Sequence, residues 1–135
     1  MEDSDAAKVA VVHEILQAWT DQDWAKVASL FAPDGVLQSV MSAPVVGREA
    51  FAERLAVLAE GLERIELRIK AIGVIDGRVF VERVDDFDTH GHHGEVPVVG
   101  ILEVTDGLVS HWLEYYDRPT LLRGMGIDPA NDFAH

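Results

Sequence analysis

Hydrophobic positions in the amino-terminal part of the chain recur at steps of three and four, which is the spacing of one buried helix face. This pattern predicts a first helix from about Asp5 to Thr20. A second, short helix is expected after Asp23, whose side chain can cap it, with Phe31 on its buried face. A third helix is predicted from Gly47 to Glu60, and the segment GVLQSV at 35–40 is typical of a short strand.

From Glu63 onward the hydrophobic period changes to two, which indicates strands with one buried face and one solvated face. Three helices followed by an antiparallel meander, with no linker between them, predict one α+β domain over residues 1–135. Its core should span about residues 5–122, and a tail should follow from about residue 123. The later strands are predicted at 78–88, 95–105 and 108–117, with Asp-Gly turns at 76–77 and 106–107.

The composition of the chain argues against several classes of function. The net charge of −13 opposes binding to nucleic acid and to anionic membranes. The chain contains no cysteine, which excludes disulfides, thiolate zinc sites and a cysteine nucleophile. The acidic start lacks the pattern of an export signal, and no apolar run approaches the roughly 18 residues that span a bilayer. A cytoplasmic protein is therefore expected.

Ionisable residues lie on otherwise apolar strand faces. Arg83 and Asp85 share a face of the strand at 78–88 with valines and Phe87, and Glu114 lies between two aromatic residues on the last strand. These faces are either partly solvated, where an Arg-Asp pair contributes less than about 1 kcal/mol, or concave and dry. In the dry case the arginine holds two carboxylates together, an arrangement that separates them into a proton donor and a proton acceptor.

The segments FVERVDDF at 80–87 and VVGILEVTDGLVSHWLEYYD at 98–117 resemble the limonene-1,2-epoxide hydrolase family, within the nuclear transport factor 2-like and SnoaL-like superfamily. The similarity extends upstream to DQDWAKVASLFAPDGVLQSV at 21–40 and VVGREAF at 45–51. It implies a cone-shaped, curved antiparallel or mixed sheet of the cystatin-like type, with three amino-terminal helices closing a pocket.

The resemblance also implies a cofactor-independent epoxide hydrolase and a role for each member of the trio. Asp85 takes the place of the acid that protonates the epoxide oxygen, Arg83 bridges the two carboxyl groups, and Glu114 takes the place of the base that activates water. The substrate is expected to be a small, largely apolar molecule such as an epoxide, terpenoid or polyketide. The residues expected to line its pocket are Leu37, Ser39, Phe87, Val98, Trp112 and Tyr116.

Two positions depart from the family pattern. The family holds the attacking water with a tyrosine and an asparagine on the first strand, where this chain has Leu37 and Ser39. Ser39 can still make a hydrogen bond, whereas Leu37 cannot. Two alternatives therefore stay open: an isomerase or an epoxide-opening or polyketide cyclase that uses the same trio, and a small-ligand-binding protein without catalysis.

The remaining candidates are histidines and an apolar outer face. His90, His92 and His93 follow Asp88 in a glycine-flanked segment that is predicted to be a solvated hairpin tip, where ligands lack the second shell of a good zinc site. No metal is predicted, and a pH-sensitive or pocket-lid role is the alternative. Phe80 lies on the outer face of the sheet, which favours a homodimer.

Overall fold

The structure, a computed structural model, describes residues 3–132. A six-stranded sheet runs in the order β2-β1-β6-β5-β4-β3 and carries helices on one face, so the predicted α+β architecture is confirmed. The elements are α1 (Asp5–Thr20), α2 (Trp24–Ser29), β1 (Phe31–Ser39), β2 (Val45–Val46), α3 (Arg48–Ala59), β3 (Leu62–Ile75), β4 (Arg78–Thr89), β5 (His92–Thr105), β6 (Leu108–Tyr116), α4 (Arg118–Gly124) and a 3₁₀ turn (Pro129–Asn131).

Helix starts follow the capping residues in the sequence. The side chains of Ser4, Asp23 and Asp117 accept hydrogen bonds from backbone N–H groups in the first turns of α1, α2 and α4. The predicted bounds of α1 are confirmed. The prediction for Phe31 is wrong: it begins β1, and its ring stacks on Phe51 of α3 with centroids 4.0 Å apart.

Strands β3 to β6 form the predicted antiparallel meander, whereas β1 inserts beside β6 in parallel. In that pairing Leu37 lies opposite Trp112, and Ser39 lies opposite Glu114. Because residues two apart share a face, this register places Leu37 and Ser39 on the same side of the sheet as the last strand's carboxylate. The parallel strand thus completes the wall on which the candidate site lies.

The meander turns are two-residue turns with both backbone φ angles positive, the geometry that matches the twist of a hairpin. Asp76-Gly77 and Asp106-Gly107 adopt it, as predicted, with φ of 51° and 77°, and of 53° and 77°. His90-Gly91 adopts it as well, with φ of 49° and 78°. The predicted solvated tip at 88–94 is therefore wrong in extent, because β4 continues to Thr89 and β5 begins at His92.

The core lies between the helices and the inner face of the sheet. Val12, Ile15 and Leu16 of α1 are fully or almost fully buried there, and burial of each such side chain stabilises the fold by roughly 1.5–3 kcal/mol. Trp19, at the end of α1, meets Trp112 edge to face with centroids 5.6 Å apart. No helix within residues 3–132 has both the length and the apolar composition needed to cross a bilayer.

The carboxyl-terminal segment contains helix α4 and the 3₁₀ turn. Helix α4 packs against β5, and its Leu122 is buried. Arg118 in its first turn donates a 2.6 Å hydrogen bond to Asp132, which ties the end of the described chain to the helix. The predicted apolar turn after Pro119 is therefore a helix. Residues 133–135 of the predicted tail lie outside the described residues.

Candidate active site

A cavity of about 210 Å³ opens between the inner face of the sheet and the helices. Every residue that the sequence analysis assigned to the site lines it. Those residues are Leu37, Ser39, Arg83, Asp85, Phe87, Val98, Trp112, Glu114 and Tyr116. The sequence analysis did not assign the remaining wall residues, which are Trp19, Arg54, Leu58, Leu62, Ile65, Leu67, Thr89, Val96, Leu121 and Met125.

Arg83, Asp85 and Glu114 form one hydrogen-bonded group in this cavity. The Arg83 guanidinium donates to Asp85 from Nε to Oδ1 at 2.7 Å and from Nη2 to Oδ2 at 3.1 Å. It also donates from Nη1 to Oε2 of Glu114 at 3.0 Å and from Nη2 to Oε1 of the same carboxylate. Arg83 is 3% exposed, and the side chains of Asp85 and Glu114 are 18% and 13% exposed. One buried cation thus joins two carboxyl groups that still face the cavity.

Gly100 on the intervening strand leaves room for this contact. It lies on β5 opposite Val81 of β4 and Glu114 of β6. A Cβ atom at this position would lie 2.8 Å from Oε2 of Glu114 and 2.9 Å from Nη1 of Arg83, closer than real Cβ contacts. The sequence analysis missed Gly100, although a glycine inside a strand signals a close approach of other atoms.

Burial and the neighbouring charges shift the pKa values of both Asp85 and Arg83. Burial raises the pKa of the Asp85 carboxyl, and the charge and hydrogen bonds of Arg83 oppose that rise without cancelling it. Burial also disfavours the charge on Arg83, but the attraction of Glu114 and Asp85 outweighs it and raises the pKa of the guanidinium. Arg83 therefore stays charged, and the surroundings of Asp85 favour its protonated form.

Few neutral polar side chains line the cavity. The Tyr116 hydroxyl donates a 2.8 Å hydrogen bond to Oγ of Ser39. The hydroxyl of Thr89 donates to the backbone carbonyl of Gly61 at 3.4 Å. The indole Nε1 of Trp112 is buried and has no hydrogen-bond partner among residues 3–132. The rest of the wall is largely aliphatic and aromatic, which suits an apolar ligand.

The predicted histidine group does not belong to this cavity. His93 lies on β5 and contacts Oδ1 of Asp88 at 2.7 Å, a pairing that raises the pKa of His93 and lowers that of Asp88. Asp86, His93 and Glu95 lie close enough to share a cation, but Asp86 is already paired with arginines. By strand parity this group lies on the outer face of the sheet, opposite the trio.

Comparison with known proteins places the chain in a family. It is 26% identical over 114 residues to the epoxide hydrolase EphG of Mycobacterium tuberculosis, covering 84% of this chain and 76% of that protein. A solved structure of an M. tuberculosis LEH-like epoxide hydrolase superposes with a TM-score of 0.80 at 24% identity, covering 90% of each chain.

A second similar structure belongs to a protein that is named for a different activity. A putative polyketide cyclase from Xanthomonas campestris superposes with a TM-score of 0.79 at 22% identity, covering 90% of this chain and 98% of that one. These two structural similarities show the fold alone. The sequence profile of the SnoaL-like domain matches residues 12–112, which is most of the chain. This protein therefore belongs to the SnoaL-like domain family.

Proposed function

We propose that this protein hydrolyses an epoxide on a small, largely apolar molecule by general acid-base catalysis, without a cofactor. The observation that carries the proposal is the buried Asp85-Arg83-Glu114 group in the wall of an apolar cavity. Two carboxyl groups that share one arginine can hold one proton between them, which is the state that acid-base catalysis of ring opening needs.

Each step of the proposed reaction uses one member of the trio. Asp85 donates its proton to the epoxide oxygen as the carbon-oxygen bond breaks. Glu114 takes one proton from a water molecule, whose oxygen forms the new bond to carbon, so that epoxide and water become a vicinal diol. Arg83 remains charged throughout, and transfer of the proton from Glu114 back to Asp85 restores the starting state. General acid-base groups of this kind contribute about 10²–10⁴-fold each to the rate.

The similarity to EphG supports hydrolysis, and one observation favours a second candidate. Leu37 lies on the same wall as Glu114 and offers no hydrogen bond to a water molecule. A less firmly held water favours an isomerase, or a cyclase in which a hydroxyl group of the substrate itself opens the epoxide. In that reaction Asp85 and Glu114 keep their roles as acid and base.

Hydrolysis is tested by incubating the protein with a panel of apolar epoxides in oxygen-18 water. We expect a diol that carries one oxygen-18 atom, because the attacking oxygen comes from solvent. Mass spectrometry of the products measures the label, and a parallel reaction with Glu114→Gln provides the background rate. Turnover to an unlabelled product contradicts hydrolysis and supports rearrangement or cyclisation. Ligand binding without any turnover supports a binding protein instead.

The outer face of the sheet supports a homodimer as the functional unit. Ile75 is 56% exposed and Val99 is 38% exposed, and both border an apolar groove that also includes Phe80. An isologous contact between two copies would cover this face. We expect light scattering after size-exclusion chromatography to give the mass of a dimer for the wild type and of a monomer for Val99→Asp. A wild-type monomer at micromolar concentration contradicts the dimer.

A further inference from the structure

Arg54 is a charged residue of the cavity wall that the proposed reaction does not use. It lies on α3 and lines the cavity, as does Leu58 one turn further along the same helix. Residues four apart lie on one face of a helix, so Arg54 belongs to the face that α3 turns toward the cavity. Arg54 is nevertheless exposed, which places it at the rim where the cavity opens to solvent.

The guanidinium of Arg54 has no partner in the part of the chain that the structure describes. Between residues 3 and 132, no group forms a hydrogen bond or an ion pair with it. The helix positions three and four residues away offer no carboxylate. They are Ala50, Phe51, Val57 and Leu58. Arg48 of the same helix, by contrast, donates to the backbone carbonyls of Phe31 and Ser29. The N–H donors of Arg54 are therefore free for a ligand.

The charges on the cavity wall do not balance in the state that the proposed reaction needs. Within residues 3–132, the charged residues that line the cavity are the trio and Arg54. When Asp85 carries a proton, Arg83 and Glu114 neutralise each other through their hydrogen bonds. The positive charge of Arg54 is then left without compensation. The chain as a whole carries a net charge of −13, which repels anions, so this rim is a local exception.

The shape of the wall defines the class of ligand that would use this charge. The trio is buried, Arg54 is exposed, and the rest of the wall is largely aliphatic and aromatic. A ligand that reaches from the trio to the rim therefore has an apolar body and an anionic group at its outer end. A carboxylate suits Arg54, because two planar groups can form two parallel hydrogen bonds. A phosphate monoester carries about −1.5 to −2 charges at neutral pH, more than one cation balances.

We propose that Arg54 binds a carboxylate at the end of the substrate remote from the epoxide, so that the substrate is an epoxide of an apolar carboxylic acid. This inference rests on the proposed epoxide hydrolysis and names its substrate class. Arg54 does not touch the reacting atoms, and the carboxylate passes unchanged into the diol. Because the contact is the same before and during the reaction, it lowers KM and leaves kcat unchanged.

The test compares epoxy fatty acids of increasing chain length with their methyl esters, which lack the negative charge. We expect wild-type kcat/KM for the best acid to exceed that for its ester by about 10-fold, since charge-assisted hydrogen bonds at a partly solvated site contribute on that order. In Arg54→Gln this preference should disappear through a rise in KM for the acid. Arg54→Lys keeps the charge and should retain part of the preference.

Arg123→Gln is the matched control for Arg54→Gln. Arg123 is exposed on α4, does not line the cavity, and makes no side-chain hydrogen bond or ion pair within the described chain. Its substitution makes the same chemical change and should keep the wild-type preference for the acid. Melting temperatures of the variants confirm that each is folded. A preference that falls equally in both variants contradicts a specific role for Arg54.

Failure of this inference and failure of the proposed hydrolysis give different results. If the wild type hydrolyses acid and ester equally well, or if Arg54→Gln still prefers the acid, hydrolysis stands and the carboxylate site is wrong. If the wild type hydrolyses neither, saturated fatty acids are titrated into both proteins and followed by tryptophan fluorescence. Binding that is about 10-fold weaker in Arg54→Gln supports the carboxylate site without hydrolysis. Equal affinities, or no binding, overturn it.

Discussion

Replacing Asp85 by asparagine is expected to lower kcat/KM for the epoxide by about 10²–10⁴-fold, the contribution of a general acid. Asparagine keeps the size of the side chain and its contact with Arg83, but it has no acidic proton to give to the leaving oxygen. The rate of diol formation under single-turnover conditions measures the effect. The fold should persist, because asparagine is as neutral as a protonated aspartic acid and its amide oxygen can still accept a hydrogen bond from Arg83.

The pH dependence of the wild type follows from the same assignment. Burial raises the pKa of Asp85, and its protonated form is the active one. The rate should therefore be retained below the raised pKa of Asp85 and lost as the pH rises through it. This alkaline loss of rate should be absent from the residual activity of Asp85→Asn, because that variant has no carboxyl group to ionise at the position.

The adjacent residue provides the matched control for Asp85. Asp86→Asn makes the same chemical change on the opposite face of β4, where the carboxylate pairs with Arg64 and Arg68. It should leave kcat/KM close to the wild-type value. Equal activity losses in Asp85→Asn and Asp86→Asn, or a fully active Asp85→Asn, would contradict the assignment of Asp85 as the acid.

Replacing Arg83 by methionine is expected to destabilise the fold at neutral pH by about 3–5 kcal/mol, the cost of removing one partner from a buried ion pair. Arg83 is 3% exposed and donates to two carboxylates that have little access to water. Without it, like charges face each other across the cavity wall. Urea unfolding followed by fluorescence of the tryptophans measures the change, and catalysis should be lost as well.

The destabilisation of Arg83→Met should depend on pH in a particular direction. Loss of the guanidinium removes the group that opposes the effect of burial on Asp85, so the folded-state pKa of Asp85 rises further. A group with a raised folded-state pKa stabilises the fold at low pH and loses that contribution as the pH rises through its pKa. The deficit relative to the wild type should therefore be smaller at about pH 5 than at about pH 8.

The matched control for Arg83 is Arg68→Met, on the opposite face of the sheet. Arg68 is 49% exposed and pairs with Glu66 and Asp86, so its loss should cost no more than about 1 kcal/mol. If Arg83→Met is as stable as Arg68→Met at neutral pH, the ion pairs of Arg83 with Asp85 and Glu114 do not stabilise the fold.

Strand period, a local property, was enough to place Arg83 and Asp85 on one face of β4 and Glu114 on an apolar face of β6. That the two faces meet was implied by the family resemblance, and the structure joins the three side chains by hydrogen bonds. The bounds of α1 were predictable for a similar reason, because Ser4 caps a regular apolar stripe. Both inferences need only neighbours along the chain.

Features that depend on distant parts of the chain were not predictable in this way. The parallel pairing of Ser39 with Glu114 joins residues on the first and last strands, and no local pattern specifies that register. The hairpin tip at 88–94 was predicted too long because histidine is an uncommon first residue for the two-residue turn that His90-Gly91 forms. Helix α4 was underestimated because its apolar side is short and becomes clear only where it packs on β5.

Gly100 limits how the trio can be carried by this sheet. A larger residue at this position would meet the bonded ends of the Glu114 and Arg83 side chains, so at least one of them would have to shift away from the other. The three ionisable residues are therefore an incomplete description of the site without the glycine on the strand between them. We expect a side chain at position 100 to impair proton transfer between the two carboxyl groups before it closes the binding cavity.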